Sequence, residues 1–180
     1  MKRIKLWDKE FEISLLNEDI QLAIKTMAEK MKTDLEGKET LFICILNGAF
    51  MFAAELMKEL ELTDAEISFL KLASYSGINS TGEIKELIGI NEVITGRTVV
   101  ILEDIVDTGY TIKGVIEQVL AHGAKEVKIA TMLFKPDALK VEINLDYVGI
   151  VIPNDFIVGF GLDYDRRGRN FKDIYTLVDK

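Results

Sequence analysis

Short apolar runs alternate with stretches of helical spacing along most of this chain. Residues 20–31 repeat apolar positions three and four apart, which predicts a helix. Residues 41–46 form a short apolar run that Asn47-Gly48 breaks, and helical spacing resumes over 49–60. Further strands are predicted at 66–73, 99–102, 127–134 and 147–152, with a helix at about 111–122. Continuous apolar strands alternating with helices predict an α/β fold. The sheet should be mostly parallel, flanked by helices, with ligands outside the carboxyl ends of its strands.

Two parts depart from that pattern. Residues 74–97 are long, polar and punctuated by Gly77, Gly82, Gly89 and Gly96. A connection of that length is commonly a functional lid or a disordered insert. The tail beyond Pro153 carries Phe156, Ile157, Val158 and the run G-F-G-L-D-Y-D-R-R-G-R-N. It reads as a small lobe over the strand ends, formed by about 152–180 and joined by the N-terminal segment 4–11. No internal repeat or Pro-rich linker divides the chain, so one domain over 1–180 is expected.

The chain has 180 residues, enough for one sizeable core. Lys plus Arg number 22 and Asp plus Glu 30, a formal net charge of -8. Such a balance disfavours nucleic acid and anionic membranes as partners. An anionic substrate would need a local cationic cluster or a metal ion. The single cysteine, Cys44, lies inside an apolar run and reads as a core residue, which suits a reducing cytoplasmic setting. The basic N-terminus has no apolar run behind it, so no signal peptide is expected. No run approaches the roughly 20 apolar residues that span a bilayer. The only histidine, His122, precedes Gly123 where a helix should end, and it suits the helix dipole better than a catalytic role.

The chemistry concentrates in residues 99–111, V-V-I-L-E-D-I-V-D-T-G-Y-T. An apolar strand runs into adjacent carboxylates, Glu103 and Asp104. Asp107 follows, then Thr108, Gly109, Tyr110 and Thr111 at a helix start. Glycine lets the backbone approach an anion closely, and successive N–H groups there can cradle phosphate. The carboxylates could accept ribose hydroxyls or hold Mg²⁺ through waters. A plain capped turn, with Asp107 or Thr108 as N-cap, would leave the two further carboxylates without a task. A phosphate-binding P-loop sequence is absent, and the Gly159 run lacks the third glycine of a dinucleotide fingerprint. A receiver domain also clusters acids at strand ends, but it would not explain the D-T-G-Y-T turn.

The stretch E-D-I-V-D-T-G resembles the phosphoribosyl-diphosphate signature of the type I phosphoribosyltransferases. The resemblance covers almost the whole chain and points to the hypoxanthine-guanine branch. It rests also on I-L-N-G-A-F-M-F, S-Y-S-G-I-N-S-T-G-E-I, L-F-K-P-D, I-P-N-D-F-I-V-G-F-G-L-D-Y and R-R-G-R-N, in that order. It implies the type I phosphoribosyltransferase fold and purine salvage. A 5-phosphoribosyl group would pass from 5-phosphoribosyl-1-diphosphate to N9 of hypoxanthine or guanine, giving IMP or GMP and pyrophosphate, with Mg²⁺ as cofactor.

The resemblance also implies residue roles. Glu103 and Asp104 would contact the ribose hydroxyls directly or through the metal, and Asp107 would move a proton near purine N7. Thr108, Gly109, Tyr110 and Thr111 would hold the 5′-phosphate. Asn47, Gly48 and Arg169 would bind pyrophosphate, in a turn that often holds a non-proline cis peptide. Ser74 and Tyr75 would belong to a closing lid. Lys135 would donate to the exocyclic O6, Phe156 would stack on the base, and the Ile157 backbone would pair with its edge. Asp163 would hold a second Mg²⁺ through water. A homodimer or homotetramer is implied, with Phe50, Met51 and Phe52 as candidate interface residues.

Each role has a plainer counterpart. Lys135 could be a solvated loop charge, Phe156 a core residue, and Arg166, Arg167 and Arg169 a solvated turn. Ser74 and Tyr75 could simply end a strand. The chain departs from the family at Asn47 and Tyr110, where many members carry lysine or arginine near phosphate. The rival activities are transfer to xanthine or another base, and a non-catalytic regulator sensing phosphoribosyl diphosphate. The net charge and the retained Asp107 argue against the regulator.

Overall fold

The computed structural model describes residues 2–73 and 85–178. In chain order the elements are β1 (Arg3–Leu6), β2 (Lys9–Leu15), α1 (Asn17–Asp34), β3 (Thr40–Leu46), α2 (Phe50–Leu60), β4 (Glu66–Ala73) and β5 (Lys85–Ile88). They continue with β6 (Thr98–Val106), α3 (Tyr110–Ala121), β7 (Glu126–Phe134), a 3₁₀ turn (Pro136–Ala138), β8 (Tyr147–Val151), β9 (Ile157–Val158) and β10 (Ile174–Leu177).

The larger sheet has the order β5-β4-β3-β6-β7-β8. Strands β4, β3, β6, β7 and β8 run parallel, and β5 is an antiparallel edge. Successive strand residues face opposite sides, and both sides are covered. On one side Phe42, Cys44, Val100 and Leu102 pack under α1 and α2 against Ile20, Ile24, Phe52 and Leu56. On the other, Leu41, Ile43, Val99 and Ile101 pack under α3 against Ile112, Val115 and Val119. Burial on both faces is why residues 41–46 read as one unbroken apolar run. Each such side chain contributes about 1.5–3 kcal/mol when fully buried. At the opposite end of the sheet, buried Arg97 pairs with Glu66 at 3.0 Å and tethers β6 to its neighbours, away from the strand ends that matter below.

A second, antiparallel sheet has the order β1-β2-β10-β9. Its own core is Leu6, Phe11, Val158 and Tyr175. Ile157, Phe160 and Ile174 join the core beneath α1 and α2, which seats this sheet on the larger one.

Several predicted boundaries shift. Helix α1 begins at Asn17, before its first core position, because its N-terminal N–H is accepted by Asp173 Oδ1 at 3.0 Å from the far end of the chain. Strand β5 lies inside the segment predicted as a polar connection; edge strands tolerate such polar sequence. Ser74 and Tyr75 lie outside the described residues. Phe52, a candidate interface residue, is fully buried core, whereas Phe50 is exposed. His122 caps α3, its Nδ1 2.8 Å from the Gln118 carbonyl, as the helix-end reading expects. No described helix is long and apolar enough to cross a membrane.

Candidate active site

The acidic pair lies within β6, not beyond it. The predicted strand 99–102 is corrected to Thr98–Val106. Pairing with β3 stops at Leu102, while pairing with β7 continues to Val106 opposite Phe134. Glu103 and Asp104 therefore stand where the sheet has lost one neighbour strand. Glu103 Oε2 is buried without a hydrogen-bond partner. Burial, and then the charge of Asp104, push the Glu103 carboxyl well above the usual range. Burial also lifts Asp104 to about 6, against the Ile105 N–H at 2.8 Å from its Oδ1 and the charge of Arg169. The Cys44 thiol beneath them is pushed up to about 12 by burial and then by both carboxylates, which suits an inert core position.

The turn after β3 meets Asp104 directly. The Leu46–Asn47 peptide bond is cis. A methyl group at Gly48 would overlap Asp104 Oδ2, and one at Gly161 would overlap the Gly48 carbonyl oxygen. Only glycine lets the two backbones, and the Asp104 carboxylate beside them, approach so closely. Arg169 donates from Nη1 to the Gly161 carbonyl at 2.6 Å and pairs through Nη2 with Asp163 at 2.7 Å. The Arg166 N–H donates to the other Asp163 oxygen at 2.6 Å. Asn47, Gly48, Asp104, Asp163 and Arg169 thus form one cluster. Beside it opens a cleft of about 630 Å³ lined by Leu46, Asn47, Phe50, Lys71, Arg166 and Arg169.

The D-T-G-Y-T turn sits at the end of β6. Gly109, with φ of 84°, is the N-cap of α3 and no side chain caps the helix, which goes against the plainer alternative of a turn capped by Asp107 or Thr108. The first N–H groups of α3 are left to an outside acceptor. Leu139 and Val141 pack under Gly109, and the Lys140 N–H donates to the Thr108 carbonyl at 3.0 Å. Thr108, Tyr110 and Thr111 are exposed. Lys135, at the end of β7, is 7% exposed and its ammonium lies 3.8 Å from Asp107 Oδ2. It is not a solvated loop charge. Pairing of β6 with β7 brings the two residues together.

Phe156 is 47% exposed, so it is not plain core. It stacks at a tilt on Phe11 and meets Tyr164 edge-on, with ring centroids 6.2 and 5.9 Å away. Tyr164 donates to Asp8 Oδ1 at 2.9 Å, and the Arg167 guanidinium lies 3.7 Å from the Trp7 ring centroid. These contacts tie Phe156 to β2 and to the loop after β9. Buried Ile157 pairs with Thr176 in that sheet. The sequence reading missed Lys71 and Gly161. A lone lysine near the end of an otherwise apolar strand, F-L-K-L-A, was the available signal for the first.

A parallel sheet that ends in paired carboxylates, an uncapped helix start and a cationic cleft is laid out for a phosphorylated sugar. Residues 14–165 match the phosphoribosyl transferase domain family. A hypoxanthine-guanine phosphoribosyltransferase of Streptococcus agalactiae serotype V is 42% identical over 164 residues, 91% of each chain. One of Streptococcus thermophilus is 40% identical over 170 residues, 94% of each chain. A crystal structure of a hypoxanthine phosphoribosyltransferase from Staphylococcus aureus shares 36% identity with a TM-score of 0.88, covering 93% of this chain and 91% of that one. The chain therefore belongs to the phosphoribosyltransferase family, on its hypoxanthine-guanine branch.

Proposed function

We propose that this enzyme transfers the 5-phosphoribosyl group of 5-phosphoribosyl-1-diphosphate to N9 of hypoxanthine or guanine, giving IMP or GMP and pyrophosphate in cytoplasmic purine salvage. The observation that carries this reading is the buried Lys135 ammonium beside Asp107, at the strand ends that also hold Glu103 and Asp104. A buried cation that donates to an exocyclic oxygen favours 6-oxopurines, because an amino group there cannot accept the bond. Asp107 then stands next to that donor, where it would move the proton at purine N7. Phe156 would cover the base, and the Ile157 backbone would pair with its edge.

Glu103 and Asp104 would meet the ribose hydroxyls. The turn from Thr108 to Thr111 would hold the 5′-phosphate through backbone N–H groups and hydroxyls, with the Tyr110 phenol in place of a basic side chain. Asn47, Gly48 and Arg169 would meet the diphosphate. Ser74 and Tyr75 would close over the site and exclude water.

The donor set suits Mg²⁺. Glu103 Oε2 is buried and unpaired, and both carboxyls are held above their usual range, as expected of acids waiting for a cation. Among the described residues no group of three or more metal-ligating side chains occurs. Mg²⁺ ordinarily needs only one or two carboxylates together with substrate oxygens and water. Glu103 and Asp104 would hold one ion. Asp163, now paired with Arg169, would hold a second through water. Bound there, Mg²⁺ would stabilise the charge that develops on the leaving diphosphate. A homodimer or homotetramer fits exposed Phe50, Ile67 and Phe69 beside α2 and β4.

The test is a parallel assay of the purified protein with 5-phosphoribosyl-1-diphosphate, Mg²⁺ and each of hypoxanthine, guanine, xanthine, adenine and uracil. Nucleotide should form with hypoxanthine and guanine. Preference for xanthine, adenine or uracil would overturn the substrate assignment. No product with any base would overturn the reading altogether.

A further inference from the structure

We infer that Lys71, on the neighbouring strand, supplies the diphosphate with the positive charge that the Asn47 turn lacks. The inference rests on the phosphoribosyl-transfer reading above and names a substrate contact that reading does not include. In the parallel register Lys71 lies directly across from Leu46, the residue before Asn47. It lines the cleft together with Asn47, Phe50, Arg166 and Arg169. That lining has three cations and no carboxylate, in a chain whose net charge is -8. Such a local reversal of sign attracts a polyanion.

The other cations are less available. Arg169 is bound to Asp163 and to the Gly161 carbonyl. Arg166 is exposed on a positive-φ turn and reaches the cleft from the loop between β9 and β10. Among the described residues Lys71 makes no ion pair. Helix α2 starts at Phe50 with no acidic residue in its first turn and no side-chain cap, so its N-terminus adds positive potential to the same cleft. Lysine is poorly suited to the end of a strand whose other residues are mostly apolar. A charge retained there fits a ligand contact better than a packing role.

Steady-state kinetics of Lys71→Met and Lys71→Arg test the inference. The methionine variant should raise KM for 5-phosphoribosyl-1-diphosphate, and for pyrophosphate in the reverse reaction, by roughly 10- to 100-fold. Its KM for hypoxanthine should stay within about twofold of wild type, and the arginine variant should recover most of the loss. In the wild type, 5-phosphoribosyl-1-diphosphate should also protect Lys71 from acetic anhydride labelling read by mass spectrometry, which needs no variant to fold. An unchanged KM for both phosphate ligands, equal damage from methionine and arginine, or unprotected labelling would overturn the role of Lys71. A wild type that forms no nucleotide with any base would instead overturn the function on which the inference rests.

Discussion

Asp104→Asn removes one charge from the buried pair on β6 and leaves the shape of the side chain nearly unchanged. Burial lifts the Asp104 carboxyl from an ordinary 3.8 to about 6. A displacement of that size corresponds to roughly 3 kcal/mol at neutral pH. The sign is unfavourable to the fold, because the folded protein holds the proton more tightly than the unfolded chain. The cost is absent below about pH 3.8, grows as pH rises toward 6 and is complete above it. Asparagine keeps an acceptor for the Ile105 N–H but buries an amide that needs a partner, at a cost of about 1 kcal/mol. The net gain is then about 2 kcal/mol, or roughly 4–8 °C in Tm for a chain of this size. Scanning fluorimetry in chelating buffer at pH 8 and pH 4 measures it. The variant should melt higher at pH 8, lose that advantage and fall slightly below wild type near pH 4, and lose activity. A variant no more stable at pH 8, or equally stabilised at pH 4, would refute the claim that burial is what lifts Asp104.

Two other substitutions probe the proposed chemistry. Asp107→Ala should lower kcat by roughly 10²- to 10⁴-fold, the usual range for a positioned acid or base, with little change in Tm because the residue lies on a half-exposed turn. Activity within about twofold of wild type would remove Asp107 from the mechanism. Lys135→Ala should cost about tenfold or more in discrimination between hypoxanthine and adenine, or abolish purine binding. Unchanged selectivity in a competition assay would sink the O6 contact.

The sheet was readable because residues 41–45 of β3 and 99–102 of β6 are buried on both faces, so those stretches are apolar without interruption. Other features depend on partners distant in the chain. The start of α1 is set by Asp173 rather than by a local cap. The length of β6 is set by β7, which keeps pairing after β3 has ended, and an acidic pair inside a strand reads locally as its end. The polar sequence of β5 hides an edge strand. At the site, Glu103 to Thr111 are continuous in sequence and therefore conspicuous. Lys135 meets Asp107 only through the register of β6 on β7. Lys71 and Gly161 come to the cluster through folding alone: Lys71 belongs to no run that would draw notice, and the run around Gly161 does not show which backbone it meets.

The contact of Gly161 with Gly48 also sets a length. Main chain rests on main chain there, so the separation between the turn after β3 and the loop after β9 is fixed by backbone thickness and not by side-chain rotamers. Exposed Phe156 can therefore be exchanged to change what the second sheet would offer to a base without altering the span to the proposed phosphate end. An insertion near Gly161 has the opposite effect and displaces both ends together. For altering the proposed base contact, the tractable position is Phe156 on the approach to β9, and the glycine contact is the part to leave alone.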